Sequence, residues 1–199
     1  MNGSLDRAAD VSRETLEAFA ALLQRWTRKI NLVGSLDTND LWDRHILDCA
    51  RLADLIPHEA KTYADLGTGA GLPGLVVAIL RPDLSTTLIE SDNRKAAFLR
   101  AARRDLSLNA RIICNRIEVA APQSADVVSA RALAPLPDLL RLATRHGGPA
   151  TYYLFPKGER WEREVAEARR AWSFDLQVSD SRREGAGPVL LITNVSEIA

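Results

Sequence analysis

Cysteine, histidine and methionine are scarce in this chain. Its 199 residues include two cysteines, three histidines and one methionine. Cys49 and Cys114 lie among apolar neighbours and outside any metal-ligand spacing. We therefore expect two reduced thiols, no disulfide and no zinc site.

Long apolar runs are also missing. No uninterrupted run approaches the ~18 residues that span a bilayer, and the first residues lack the apolar core of a signal peptide. We therefore expect a cytosolic protein. Hydrophobic residues make up 46% of the chain and charged residues 26%, which is typical of a packed globular domain. The length predicts one domain over residues 1–199, with a helical lead at 1–60 and a core at 61–199.

Net charge is zero, but the charges are unevenly distributed. Between Arg94 and Arg116 there are seven basic residues and one acid, Asp105. Residues 1–60 instead hold ten acids and seven lysines or arginines. Positive potential is therefore expected on one part of the surface.

Short β-rich runs alternate with helical stretches after residue 60. This alternation predicts an α/β fold with a mostly parallel Rossmann-like sheet and helices on both faces. The predicted strands lie near 62–66, 85–90, 111–114, 126–130 and 151–155, and the predicted helices near 73–81, 94–107, 135–146 and 159–172. Two further runs without an intervening helix, 174–179 and 189–193, predict a C-terminal antiparallel hairpin.

Two helices are predicted before the sheet. Ser12 is suited to cap the first, which carries apolar residues at helical spacing as far as Ile30. The second is expected to follow Asp37-Thr38 and to stop at Pro57. Trp26, Trp42, Trp161 and Trp172 all lie in apolar stripes, so we expect them to pack in the interior.

The segment Asp65-Leu-Gly-Thr-Gly-Ala-Gly-Leu-Pro-Gly74 is the most informative part of the chain. A strand ending in an acid is followed there by a glycine-rich turn and a helix that Pro73 is suited to start. Gly67, Gly69 and Gly71 permit positive φ and leave space for a ligand beside the backbone. This arrangement predicts a nucleoside-cofactor site.

Two acids bear on which cofactor would bind. The glycine run also matches the dinucleotide pattern G-x-G-x-x-G, so a nicotinamide-dependent oxidoreductase is one possibility. Asp65, at the strand end, would repel a pyrophosphate but suits the ammonium and sulfonium of S-adenosylmethionine. Glu90 ends the next strand, 25 positions later, where an acid takes ribose hydroxyls in such folds.

The helix after Glu90 carries the basic residues. Its apolar stripe is predicted at Phe98, Leu99, Ala102 and Leu106, which places Arg100, Arg103, Arg104 and Ser107 outward. Such a face is either an ordinary solvated surface or a site for a phosphate-bearing substrate.

Several motifs together resemble the ribosomal small-subunit methyltransferase G family, also called glucose-inhibited division protein B. They span nearly the whole chain: Asn31-Leu32, Arg44-His-Ile-Leu-Asp48, Asp65 to Gly74, Phe98-Leu99, Arg116-Ile-Glu118, Ser129-Ala-Arg-Ala132 and Lys157-Gly158. The resemblance implies a class I S-adenosylmethionine-dependent enzyme that methylates N7 of one guanine in 16S ribosomal RNA.

The resemblance also implies site residues. Cofactor contacts are expected at Gly67, Leu72, Ile117, Glu118 and Arg131, beside Asp65, Gly69, Gly71 and Glu90. For substrate RNA, the resemblance favours contacts at His45 and Asp48. The outward basic face of the helix after Glu90 predicts further contacts at Arg100, Arg103 and Arg104, and Lys157 is expected to meet phosphate. Guanine N7 has a free lone pair, so no general base is expected.

Some alternatives remain open. His45 and Asp48 lie three positions apart on one helix, so His45 is either a partly buried histidine satisfied by a local acid or part of a surface facing RNA. A small-molecule methyltransferase and an RNA-binding assembly factor without turnover are further possibilities. We expect a monomer that acts on ribosomal RNA or on a 30S particle.

Overall fold

A seven-stranded sheet forms the centre of the fold. The computed structural model describes residues 2–34, 41–179 and 187–198. The strands are β1 Thr62–Leu66, β2 Ser85–Glu90, β3 Ala110–Cys114, β4 Val127–Ala130, β5 Tyr152–Pro156, β6 Trp172–Ser179 and β7 Val189–Glu197. Their order across the sheet is β3-β2-β1-β4-β5-β7-β6. Pairs among β1 to β5 are parallel and both pairs of β7 are antiparallel, which confirms the predicted Rossmann-like sheet with its C-terminal hairpin.

Helices cover the sheet and precede it. They are α1 Asn2–Ile30, α2 Asp48–Leu55, α3 Gly74–Leu80, α4 Asn93–Asp105, α5 Leu136–Thr144 and α6 Trp161–Ala168. A π-helical turn, Trp42–Leu47, leads directly into α2. Within the described ranges, no helix combines the length and the apolar character needed to cross a membrane.

Two predicted helix boundaries were wrong. The first helix begins at Asn2 and not after Ser12, because the residues before Ser12 include good helix formers that extend it. The last predicted helix ends at Ala168, since Trp172 is buried as the first residue of β6. The predicted start of the second helix at Asp37-Thr38 lies outside the described residues.

The helical lead packs on one face of the sheet. Phe19 and Leu23 of α1 are fully buried with Leu75 of α3 and Phe98 of α4. The Trp26 ring lies 5.6 Å from the ring of Phe98. The predicted interior packing of the tryptophans is confirmed, because Trp172 is buried and the other three are half-buried against apolar clusters.

The strand order reverses beside β1. The chain continues from β1 to β2 on one side, while β4 lies on the other side. In open parallel sheets, ligands bind outside the carboxyl ends of the strands at such a reversal. The glycine-rich turn follows the carboxyl end of β1 and therefore lies in this crevice.

Candidate functional site

The turn after β1 takes the backbone conformation predicted for it. Gly67, Gly69 and Gly71 have φ values of +63°, +57° and +77°. Residues other than glycine rarely adopt these φ values. A Cβ on Gly69 would meet nothing closer than the carbonyl oxygen of Gly67 at 3.8 Å, so one face of the turn is open.

Glu90 holds this turn from the neighbouring strand. Its Oε2 accepts the Gly69 N–H at 2.8 Å, and its Oε1 accepts the Asp92 N–H at 2.7 Å. The side chain is only 7% exposed. Each carboxylate oxygen keeps a second lone pair, which can accept from a ligand hydroxyl.

Asp65 lies inside the fold and joins three elements. Its Oδ2 accepts the N–H of Gly74, the first residue of α3, at 3.0 Å. Its Oδ1 accepts the Ser129 hydroxyl of β4 at 2.6 Å. The Tyr63 hydroxyl lies 2.6 Å from the Ser129 oxygen. Because Ser129 donates its proton to Asp65, Tyr63 donates to Ser129 in this buried chain.

Burial dominates the electrostatics of Asp65. It raises the pKa of the carboxyl to about 6, while the hydrogen bonds from Ser129 and Gly74 and the charge of Arg131 act in the opposite direction. The residue is 0% exposed, so its carboxyl group belongs to the interior of the fold. Direct contact of Asp65 with a cofactor stays a prediction.

The loop after β3 carries the next two predicted cofactor residues. Ile117 is buried and Glu118 is exposed. The Nε2 of His146 donates to the Ile117 carbonyl oxygen at 2.9 Å. The His146 Nδ1 is buried and has no hydrogen-bond partner in the described part of the chain, and burial lowers the pKa of the ring. His146 was missed by the sequence analysis, since no motif linked it to this loop.

Arg131 joins the carboxyl end of β4 to the helical lead. Its guanidinium lies 3.1 Å from Nδ1 of His45 and 3.4 Å from Sγ of Cys49. A guanidinium only donates, so His45 Nδ1 accepts and the ring proton belongs on Nε2. Burial raises the pKa of the Cys49 thiol to about 12, so the thiol is protonated at neutral pH. The structure thus places a predicted RNA residue beside a predicted cofactor residue.

His45 lies in the π-helical turn, and Asp48 begins α2 directly after it. Both residues are half-buried. Single π-helical turns are rare and occur often at functional sites. The lead therefore contributes to the same crevice as the glycine turn, through the contact of His45 with Arg131.

Lys157 does not lie at the surface. Its side chain is 8% exposed, and its Nζ lies 2.7 Å from Oε2 of Glu164. The same Nζ donates to the Ala134 carbonyl oxygen at 3.0 Å. Glu164 also accepts the Leu136 N–H at 2.9 Å. Lys157 therefore holds the segment between Arg131 and α5, and the expected phosphate contact stays a prediction.

The basic face of α4 lies elsewhere. Arg100, Arg103 and Arg104 are exposed as predicted. Arg100 and Arg103 border a cleft with Ser85 and Ala110, the first residues of β2 and β3. The cleft therefore lies at the amino-terminal ends of these strands, whereas the glycine turn follows the carboxyl end of β1.

Metal ligation has no support among the residues that the structure describes. No group of three or more histidine, cysteine, aspartate or glutamate side chains there could hold a metal ion. Cys49 and Cys114 are both free thiols. The chemistry of the site is thus that of glycine backbone, two buried carboxylates and one guanidinium.

Solved structures share this architecture. The mitomycin 7-O-methyltransferase MmcR aligns with a TM-score of 0.60 at 17% identity, over 75% of this chain and 53% of that one. TYW2 of M. jannaschii in complex with AdoMet aligns with a TM-score of 0.56 at 14% identity, over 79% and 78%. At these identities the likeness concerns the fold.

Sequence relatives are much more similar. A ribosomal RNA small subunit methyltransferase G of Cereibacter sphaeroides (strain ATCC 17029) is 42% identical over the full length of both chains. The protein of the same name from Acidiphilium cryptum is 45% identical over 96% of each chain. A family model described as rRNA small subunit methyltransferase G matches residues 12–186. The chain belongs to this family and is a class I S-adenosylmethionine-dependent methyltransferase.

Proposed function

We propose that this protein transfers a methyl group from S-adenosylmethionine to N7 of one guanine in 16S ribosomal RNA. The observation that carries the proposal is the match to the family over residues 12–186, in which the glycine turn and Glu90 take the arrangement of a nucleoside site. The acceptor position follows from the family to which the chain belongs.

The crevice fits the cofactor on two counts. The open face of Gly69 lets a ligand approach the backbone, and Glu90 retains lone pairs for two ribose hydroxyls. We assign the cofactor contacts to Asp65, Gly67, Gly69, Gly71, Leu72, Glu90, Ile117, Glu118 and Arg131. Asp65 would act from beneath the turn, because its carboxylate is already bonded to Gly74 and Ser129.

The reaction needs little from the protein beyond alignment. When bound, the cofactor supplies an electrophilic methyl group on a sulfonium. Guanine N7 carries an unprotonated lone pair at neutral pH, so no side chain has to remove a proton first. The role of the chain is to hold both partners in line, and Arg131 can donate to the O6/N7 edge of guanine or to the cofactor carboxylate.

The partner is ribosomal RNA, and we propose the 30S particle as its form. His45 and Asp48 stand beside Arg131 at the mouth of the crevice, which makes them the proposed RNA contacts nearest to the chemistry. We further propose a cytoplasmic monomer in which lead and core act as one unit.

Methyl transfer from tritiated S-adenosylmethionine tests the proposal. Purified 30S particles, naked 16S RNA and a metabolite extract would be compared as acceptors, and the labelled nucleoside identified after digestion. We expect label in 7-methylguanosine from the 30S sample. Label in the metabolite extract alone would favour a small-molecule methyltransferase, and RNA binding without label an assembly factor.

The oxidoreductase alternative is tested by binding. Calorimetry with S-adenosylmethionine and with NADH, on the same preparation, is expected to give heat only with the former. Binding of NADH in place of S-adenosylmethionine would contradict the cofactor assignment.

A further inference from the structure

A cleft lies beside the edge strand β3, away from the carboxyl-end crevice. Its volume is about 390 Å³, within the range of about 300–1,000 Å³ typical of ligand sites. The walls come from the first residues of β2 and β3, from α4 and from the loop before β3. None of the described residues that line it is acidic.

Three arginines line this cleft: Arg100 and Arg103 of α4 and Arg111 of β3. All three are exposed. In the part of the chain that the structure describes, none of them has an acid within 4.0 Å. Arg104, by contrast, bonds Asp105 at 2.9 Å and does not line the cleft. The cleft therefore concentrates positive charge that no described acid neutralises.

A second observation concerns Thr86 of β2, which also lines the cleft. The residue is 1% exposed, and its Oγ1 is buried with no hydrogen-bond partner among the residues that the structure describes. Buried polar groups almost always have a partner. The cleft wall thus combines three arginines with a buried hydroxyl that has no partner among the described residues.

We propose that this cleft, formed by Arg100, Arg103, Arg111 and Thr86, binds backbone phosphates of the ribosomal RNA substrate. Guanidinium groups are well suited to phosphate, and the Thr86 hydroxyl supplies a further donor. The inference rests on the proposed function, because it assigns the cleft to the same RNA.

The position of the cleft fits an anchor outside the reaction site. Thr86 precedes Glu90 by four strand residues, which at about 3.3 Å each is roughly 13 Å along β2. A nucleic acid strand carries a phosphate about every 3.4 Å of axis, so a few nucleotides bridge this span. The cleft would hold RNA that flanks the target guanine.

The test uses the full chain with Arg100, Arg103 and Arg111 changed together to glutamine. Binding of 16S RNA and of 30S particles is measured by filter titration over a range of salt. We expect affinity to fall at least about tenfold and the salt slope to decrease by about 2, since each phosphate contact contributes about 0.7 to 0.9. Affinity for S-adenosylmethionine, measured by calorimetry, is expected to stay unchanged.

The matched control changes Arg141, Arg163 and Arg170 to glutamine. These arginines are also exposed but lie on or beside α5 and α6. The control removes the same charge and is expected to change RNA affinity less than about twofold. Equal losses of RNA affinity in both triple variants, or an unchanged salt slope in the cleft variant, would contradict the proposal that the cleft binds RNA phosphates.

Thr86→Val adds a variant with nearly the same shape. We expect RNA affinity to fall about threefold while the unfolding midpoint stays level or rises, because an unmatched hydroxyl is removed. A lower midpoint with unchanged RNA affinity would assign the hydroxyl to structure and contradict its role here. Methylation of 30S particles by the unmodified chain reports on the proposed function, whereas the difference between the two triple variants reports on the cleft.

Discussion

At position 74, glycine is required because the surrounding atoms leave no room for a side chain, and not because of the backbone conformation. It begins α3, and its N–H donates to the buried Asp65 carboxylate at 3.0 Å. A Cβ at this position would clash with the side chain of Leu88 and lie 2.7 Å from Oδ2 of Asp65. Any larger side chain must therefore displace the buried side chains of Leu88 and Asp65 or α3 itself.

Gly74→Ala is expected to lower the free energy of unfolding by about 1–3 kcal/mol, the usual cost of overpacking. It should also weaken cofactor binding, because the glycine turn leads into α3. Urea denaturation and calorimetry would measure the two effects. Gly148→Ala is the control, since a Cβ there meets nothing within 4 Å; similar losses in both variants would contradict this account.

Asp65 is a buried carboxyl whose folded pKa, about 6, is higher than its ordinary value. A raised pKa means that the folded state favours the protonated form. The contribution of Asp65 to stability is therefore fully present below the unfolded pKa and is lost as pH rises through about 6.

Asp65→Asn removes this titration. Between pH 4 and pH 7 the variant should gain stability relative to the unmodified protein, by on the order of 3 kcal/mol. Urea midpoints measured across this range test how the stability difference between the two proteins changes with pH. A constant effect of the amide on stability does not alter this pH dependence. Asp126→Asn is the control: hydrogen bonds from Lys61 and Thr62 lower the pKa of Asp126, so its contribution to stability is lost only as pH falls below about 4, and between pH 4 and pH 7 this variant should keep the pH dependence of the unmodified protein. A parallel pH dependence of the Asp65 variant and the unmodified protein would refute the assignment.

Among the elements, the segment from β4 to α5 is held from β5 and α6. Lys157 at the end of β5 donates to the Ala134 carbonyl, and Glu164 of α6 accepts from Lys157 and from the first N–H of α5. Arg131 is the first residue of this segment. The Lys157–Glu164 pair is thus a support for Arg131, which meets His45 on the other side.

Lys157→Met keeps the length of the side chain but removes its donors. Loss of the charged hydrogen bonds is expected to cost about 1.5–3 kcal/mol of stability. The KM for S-adenosylmethionine should rise more than the KM for RNA, because the change acts through the Arg131 segment. Steady-state kinetics measure both constants, with the exposed Lys61→Met as the control. A rise confined to the KM for RNA would instead support a phosphate contact by Lys157.

At the scale of the whole molecule, the lead and the C-terminal hairpin both bury side chains on the sheet. Phe19 of α1 is fully buried in the cluster that contains Phe98. Ile192 of β7 is fully buried in the cluster that contains Phe155 of β5. Both ends of the chain therefore belong to the core that supports the crevice.

Phe19→Ala and Ile192→Ala are each expected to lower the stability of one common unfolding transition by about 2–5 kcal/mol. Circular dichroism and tryptophan fluorescence should give coincident curves for both variants. Ile198→Ala is the control, because Ile198 is 50% exposed and its loss should change stability by less than about 0.5 kcal/mol. Separate transitions for the lead and the core would contradict a single cooperative unit.

The sequence by itself determined the order of strands and helices, the positive-φ glycines and the outward face of α4. These features follow from local patterns: apolar periodicity, residues that permit a turn, and the acid that ends a strand. Glu90 could be identified in the same way, because its distance from the glycine turn along the chain is set by one β-α-β unit. The family motifs added Arg131 and His45, but not their contact.

Only the tertiary structure decided which polar groups are buried and what they meet. Asp65 and Ser129 are 64 positions apart, and Arg131 and His45 are 86 apart. No local pattern encodes such pairs, since they depend on which strands and helices lie side by side in the folded protein. The same holds for Lys157, whose side chain is buried and bonds Glu164 and Ala134. It also holds for the arginines of α4, which lie near the amino-terminal ends of β2 and β3 because the helix runs antiparallel to these strands.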